Sequence, residues 1–126
     1  MQTQTSSSQN KSAGMSSSHL ECIQECSDCY KVCAQLIDYC LTKGGKHAEA
    51  QHIKLLQDCS FICDLSADFM IRNSKFHSSV CKLCADICKA CAESCEALAA
   101  GDEMMKACIV QCRKCATSCE KMSTLN

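Results

Sequence analysis

The sequence has no proline and no tryptophan, and its 126 residues include only three phenylalanines, two tyrosines and four glycines. So little punctuation and so few aromatic residues exclude a sandwich or barrel of short strands and leave uninterrupted helices. Charge of one sign is also lacking, since thirteen basic residues face fourteen acidic ones. Without a basic stripe or an acidic tail, neither nucleic acid nor an anionic lipid surface is an expected partner. No apolar run is long enough to span a bilayer, so no membrane partner is expected either. Arginine is scarce, with only Arg72 and Arg113 in the chain, and residues 1–17 are rich in Ser, Gln and Thr. They hold neither paired arginines nor an apolar core, so they read as a flexible polar tail with no mark for export.

What is abundant is cysteine, sixteen in all. Their spacing is almost entirely three and four, the rhythm of a helix seam that faces the core of a bundle. Cys22, Cys26, Cys29, Cys33 and Cys40 share one such seam; Cys59 and Cys63 share a second. Cys81, Cys84, Cys88, Cys91 and Cys95 form a third, and Cys108, Cys112, Cys115 and Cys119 a fourth. Thiols stand where leucines normally sit.

Helix punctuation divides residues 18–122 into four segments, at about 18–42, 47–71, 74–100 and 102–122, with 123–126 as a short tail. Ser18 with Glu21 has the form of a capping box, Gly44 and Gly45 break the first segment, and Asn73 and Ser74 separate the second from the third. Gly101 suits the end of the third helix and Asp102 the N-cap of the fourth. Connections this short force neighbouring helices to run antiparallel. The expected fold is all-α, an up-down-up-down four-helix bundle with a cysteine-lined core.

Aligning the four seams in that topology assigns every cysteine to a layer. His19, Met70, His77 and Met122 form the layer at the N-terminal end of the first helix, the near end. Next come Cys22, Ser66, Cys81 and Cys119, then two all-sulfur layers: Cys26, Cys63, Cys84 and Cys115, followed by Cys29, Cys59, Cys88 and Cys112. Cys33, Leu56, Cys91 and Cys108 follow. Leu36, His52, Cys95 and Met105 lie beyond them, and Cys40 with Leu98 closes the far end. His47 falls off the seam and is expected at the surface. The second helix is apolar beyond one stripe, with Leu55, Phe61, Ile62, Leu65 and Phe69, and is expected to pack on another protomer.

Helical neighbours at three and four residues have Cβ atoms about 5–6 Å apart, whereas a disulfide wants roughly 3.5–4.5 Å. Regular helices therefore hold these thiols close without joining them. A purely structural core would be costly, because cysteine is small and each exchange for a leucine-sized residue forfeits something like 1 kcal/mol. Thiolates select soft ions, among them Cu(I), Zn(II) and Cd(II). A Zn(II) held by four thiolates leaves net negative charge that several such sites would accumulate in a dry core. Cu(I) takes two or three sulfurs and stays near neutrality. Seven CxxxC pairs form ready two-sulfur clamps, and CxxC steps link one clamp to the next. His19, Met70, His77 and Met122 supply Cu(I) donors that need no deprotonation, although His52 and Met105 leave the direction of loading open. The strand that a thioredoxin-like CxxC requires is missing, so enzymatic redox chemistry is not expected. A Zn(II)/Cd(II) scavenger of metallothionein type and a disulfide-stapled interaction module remain as alternatives.

With these columns laid out, residues 18–122 closely resemble the bacterial copper storage proteins. The resemblance implies multiple Cu(I) ions in the lumen, held mainly by cysteine pairs, with all sixteen cysteines as candidate ligands. It also implies His and Met donors at a bundle mouth, a homotetramer of bundles, and no catalysis. The absence of a twin-arginine signal matches the cytosolic branch, so the expected location is cytoplasmic. The chain departs from the family in its sparse second helix and in the asymmetric region near Leu36 and Leu56.

Overall fold

The computed structural model describes residues 15–124. Residues 1–14, most of the expected polar tail, and 125–126 of the short tail lie outside the described residues. Four helices follow in order: α1 (Ser17–Lys43), α2 (Ala50–Ile71), α3 (His77–Glu96) and α4 (Glu103–Ser123), with a 3-10 turn (Gly45–Ala48) before α2. Helix α1 packs on α2 and α4, and α3 packs on the same two. The up-down-up-down bundle is as the sequence predicts.

The helix ends differ in detail from the expected ones, each for a local reason. Helix α1 is capped by Ser16 rather than by a Ser18–Glu21 box. The extended backbone of Ser16 (φ −72, ψ 166) lets its hydroxyl accept from His19 N at 3.1 Å. At its other end the Gly44 N–H bonds the Cys40 carbonyl at 3.1 Å, with Gly44 at φ 78. The chain then winds through the 3-10 turn, so His47 precedes α2 instead of opening it. Ser74 does not cap α3: its hydroxyl accepts from Phe76 N at 3.1 Å, forming a local turn, and the helix begins at His77. Helix α3 stops at Glu96, short of Ala99. The next residues close tighter i to i+3 bonds, from Leu98 N to Cys95 O and from Ala99 N to Glu96 O, a common way for a helix to end. Asp102 caps α4 as expected, accepting from Met104 N and Met105 N at 3.1 and 3.2 Å.

The core is sulfur bordered by hydrocarbon. Every one of the sixteen cysteines has 0% relative exposure. Leu36, Leu56, Met70 and Met105 are the largest buried side chains, and Ala67, Ala85, Ala92 and Ala116 fill positions beside the column. Small residues at those positions let the helices close around the thiols. Outside, Lys82 pairs with Asp86, Lys89 with Glu120 and Arg113 with Glu96, exposed pairs that add little to stability. His47 is not at the surface as expected: its side chain is half-buried and bonded to Asp102 at 3.3 Å.

Candidate metal centre

Each helix delivers its thiols to the axis because steps of three and four straddle the 3.6-residue turn. The layers drawn from sequence spacing are met in space. In the first all-sulfur layer, Cys26 Sγ lies 3.6 Å from Cys115 Sγ, Cys63 lies 3.7 Å from Cys84, and Cys63 lies 3.9 Å from Cys115. In the second, Cys29 to Cys112 is 3.8 Å and Cys59 to Cys88 is 3.7 Å. Cys33 and Cys108 approach to 3.9 Å in the next, where Leu56 takes the fourth place. Cys95 reaches Cys108 at 4.0 Å. Toward the near end Cys22 lies 3.7 Å from Cys119, and Ser66 takes the fourth place with its hydroxyl 3.4 Å from Cys81 Sγ.

All sixteen cysteines are free thiols, so nothing in the fold depends on disulfides. Several of the closest approaches run between helices, such as Cys26 to Cys119 at 3.5 Å and Cys63 to Cys88 at 3.6 Å. Within CxxxC pairs, Cys84 to Cys88 is 3.9 Å and Cys108 to Cys112 is 3.8 Å. Metal–sulfur bonds of about 2.3 Å span such pairs at bent angles without moving the helices. A linear arrangement needs the sulfurs near ~4.6 Å, which small rotamer changes supply. At least five four-cysteine groups have their sulfurs mutually within 4.8 Å. These groups share members: Cys29 and Cys59 occur together in two of them, as do Cys84 and Cys115. Any ion placed in one group therefore shares thiolates with the next.

A dry column cannot carry many unpaired thiolates, so its protons are shared. Cys22 is pushed up chiefly by Cys119, and Cys33 by Cys108, so both hold their protons. Cys26 is drawn down to about 6 chiefly by Cys115, and Cys108 to about 6 by Cys112. Near the ends, Cys119 and burial push Cys81 up to about 12, and burial with the Asp102 charge pushes Cys40 up to about 11. Metal entering this column has to displace protons.

The ends carry neutral donors. At the near end the structure brings His19 and His77 together and sets His19 against the Met70 backbone. The His19 and His77 rings stand 5.3 Å apart, and Met70 and Met122 are buried. His19 Nε2 donates to the Met70 carbonyl at 2.8 Å. A carbonyl only accepts, so neutral His19 keeps its lone pair on Nδ1. His77 Nδ1 is buried with no hydrogen-bond partner among the described residues. Burial, then His19, pulls the His77 pKa down.

The far end holds a cluster that spacing placed in adjacent layers without counting all of it as ligand. Cys40 Sγ lies 3.5 Å from His52 Nε2 and 3.8 Å from Met105 Sδ. The other His52 nitrogen bonds the Ser94 hydroxyl at 2.7 Å, which fixes the ring. Burial, then His47, lowers the His52 pKa and keeps the imidazole neutral. The seam step from His52 through Leu56 to Cys59 was the available signal; its meeting with Cys40 depended on how α1 and α2 align.

The family model of the copper storage proteins matches residues 15–124. The chain belongs to that family. A solved protein of Nitrosospira multiformis is 43% identical with a TM-score of 0.81, covering 86% of this chain and 97% of that one. The Cu(I)-bound copper storage protein BsCsp3 is 34% identical with a TM-score of 0.75, over 85% of this chain and 99% of that one. A cytosolic copper storage protein from Streptomyces lividans, solved with five coppers, is 26% identical with a TM-score of 0.73, over 84% and 92%. Among curated proteins, the uncharacterized cysteine-rich protein YhjQ of Bacillus subtilis is 37% identical over 65 residues, 52% of this chain. That match spans 60% of the length of YhjQ.

Proposed function

We propose that the chain stores Cu(I), taking many ions into the bundle as thiolate complexes and releasing thiol protons as it loads. The observation that carries this reading is the column of sixteen fully buried free thiols, with neighbouring sulfurs as little as 3.5 Å apart. The working unit is the bundle over about 18–122. Its ligands are the sixteen cysteines, with His19, Met70, His77 and Met122 as neutral donors that receive or pass on copper at the near end. No bond-making on a substrate is part of the role, and the chain acts as a store rather than an enzyme.

A Zn(II) or Cd(II) scavenger is the second reading, favoured by the four-cysteine groups. Five of those groups draw on only twelve cysteines, so isolated four-thiolate sites cannot fill them all. Bridging thiolates suit Cu(I), whose charge nearly balances one sulfur each. Anaerobic titration of the reduced protein separates the readings. A plateau near one Cu(I) per thiol supports storage; a plateau near one Zn(II) per four thiols, with weaker copper uptake, favours the scavenger.

The surface of α2 supports self-association. Phe61 is 84% exposed, with Leu65 beside it and Leu83 exposed on neighbouring α3. A homotetramer that covers this apolar face is the expected state, to be read by sedimentation. The cytosol is the proposed location, in keeping with the Streptomyces relative; among the described residues no helix is long and apolar enough to cross a membrane.

A further inference from the structure

The two ends of the bundle are closed by different means. At the near end the α2–α3 turn is a single short connection through Asn73 at φ 52. The far end is closed by two separate loops, residues 44–49 and 97–102. All three positive-φ glycines among the described residues lie in them: Gly44 (φ 78), Gly45 (φ 58) and Gly101 (φ 70). A Cβ built at any of these positions would meet nothing within 4 Å. Positive φ calls for glycine at these turns, and a contact has to link the two separate loops.

One carboxylate does so. Asp102 Oδ1 accepts from the Met104 and Met105 amides at 3.1 and 3.2 Å, which fixes the first turn of α4. Its Oδ2 accepts from the Tyr39 hydroxyl at 2.9 Å and from His47 Nε2 at 3.3 Å, with Lys43 Nζ at 3.7 Å. The carboxylate thus joins α1, the 3-10 turn and α4. Each joined segment also carries or adjoins a member of the far-end cluster. Tyr39 precedes Cys40, the 3-10 turn leads into the α2 turn holding His52, and the capped turn of α4 contains Met105. Those three donors are 0–5% exposed beneath the clasp.

We propose that Asp102 is a positioning residue that clasps the far end and sets how fast copper enters and leaves there, without binding the ion. The inference rests on the storage reading. Every cysteine is fully buried, so an ion or a competing ligand reaches the column only where part of the bundle opens. At this end that opening involves the two loops. Opening them breaks the bonds to the Asp102 carboxylate, which are charge-assisted and stronger than neutral ones. The clasp therefore adds to the barrier for exchange and leaves the number of thiolates unchanged.

Asp102→Asn tests this, because asparagine is also a good N-cap but lacks the charge. Wild type and variant are saturated with Cu(I) under anaerobic conditions and mixed with excess bathocuproine disulfonate, and the coloured chelate is followed in time. The expected result is an unchanged number of ions released about tenfold faster or more. Tyr39→Phe, which removes one of the bonds, should accelerate release in the same direction by less, and it carries the test if Asp102→Asn folds poorly. Ser74→Ala, which removes a turn bond at the opposite end, should leave the rate alone. Equal rates in the wild type and both clasp variants would overturn the proposal. So would acceleration that tracks loss of stability in urea equally in Ser74→Ala. If the wild type itself takes up no Cu(I), the storage reading falls and the clasp with it; normal uptake with unaltered rates removes only the clasp.

Discussion

The middle of the bundle and its ends divide two tasks between them. The middle, from Cys26 to Cys112, is sulfur on every side and contributes less apolar packing than a leucine core of equal length would. The ends hold larger apolar side chains, Leu36, Met70 and Met105, together with imidazole and thioether. Thiol ligands, which lose a proton to bind, lie deepest, while His19, His77 and His52 lie where solvent is nearest. The difference teaches that one bundle can keep its stability and its capacity in different layers.

The strongest way to break that comparison is to remove a sulfur layer. Replacing Cys29, Cys59, Cys88 and Cys112 together by Ala should lower Cu(I) capacity by about four ions, if copper and thiolate approach one-to-one. The bundle should stay helical, as read by circular dichroism beside an anaerobic titration. An unchanged capacity would place the ions elsewhere.

Next in size is Leu36→Ala. It empties a fully buried site and should cost about 2–5 kcal/mol in urea unfolding of the reduced apo protein. Cys88→Ala in the middle should cost only about 1 kcal/mol, because less hydrocarbon is lost. Equal costs would show that the ends hold no special share of the stability.

The pH response sharpens the contrast. His52 and His77 have folded pKa values depressed below 6.5 by burial. Below pH 6.5 the unfolded chain therefore binds protons that the folded chain refuses, and stability falls as pH drops through and below that value. Urea midpoints at pH 7.5 and 5.5 should show the fall, and His52→Leu should flatten it. In the sulfur column the thiols near the ends are raised, Cys40 to about 11 and Cys81 to about 12. Copper binding there should release protons and weaken as pH falls, as measured by pH-stat and chelator competition.

The smallest effect belongs to the surface. Lys82→Ala loses an exposed pair with Asp86 and should change stability by no more than about 0.5 kcal/mol, with copper uptake unaltered.

Much of the fold was legible because helix periodicity is local. The three-and-four spacing of Cys81 to Cys95 identifies the buried face of α3 before any neighbour is known, and Gly44, Asn73 and Asp102 mark turns by their own backbone preferences. The α3 terminus was less legible. Nothing in Ala97 to Ala100 disfavours a helix, and the chain leaves it ahead of the left-handed Gly101 and the Asp102 cap of α4. His47 was misjudged because its partner, Asp102, lies 55 residues away in sequence.

Sequence by itself determined which side chains line the axis, since a turn of 3.6 residues decides that within each helix. It also determined that those side chains are soft donors. Only the tertiary structure decided which sulfurs meet, that Cys40 joins His52 and Met105, and that one carboxylate gathers the far-end loops. These contacts depend on how far each helix slides along its neighbours, and an axial shift of one turn moves a side chain by about 5.4 Å, more than the separation of any sulfur pair described above.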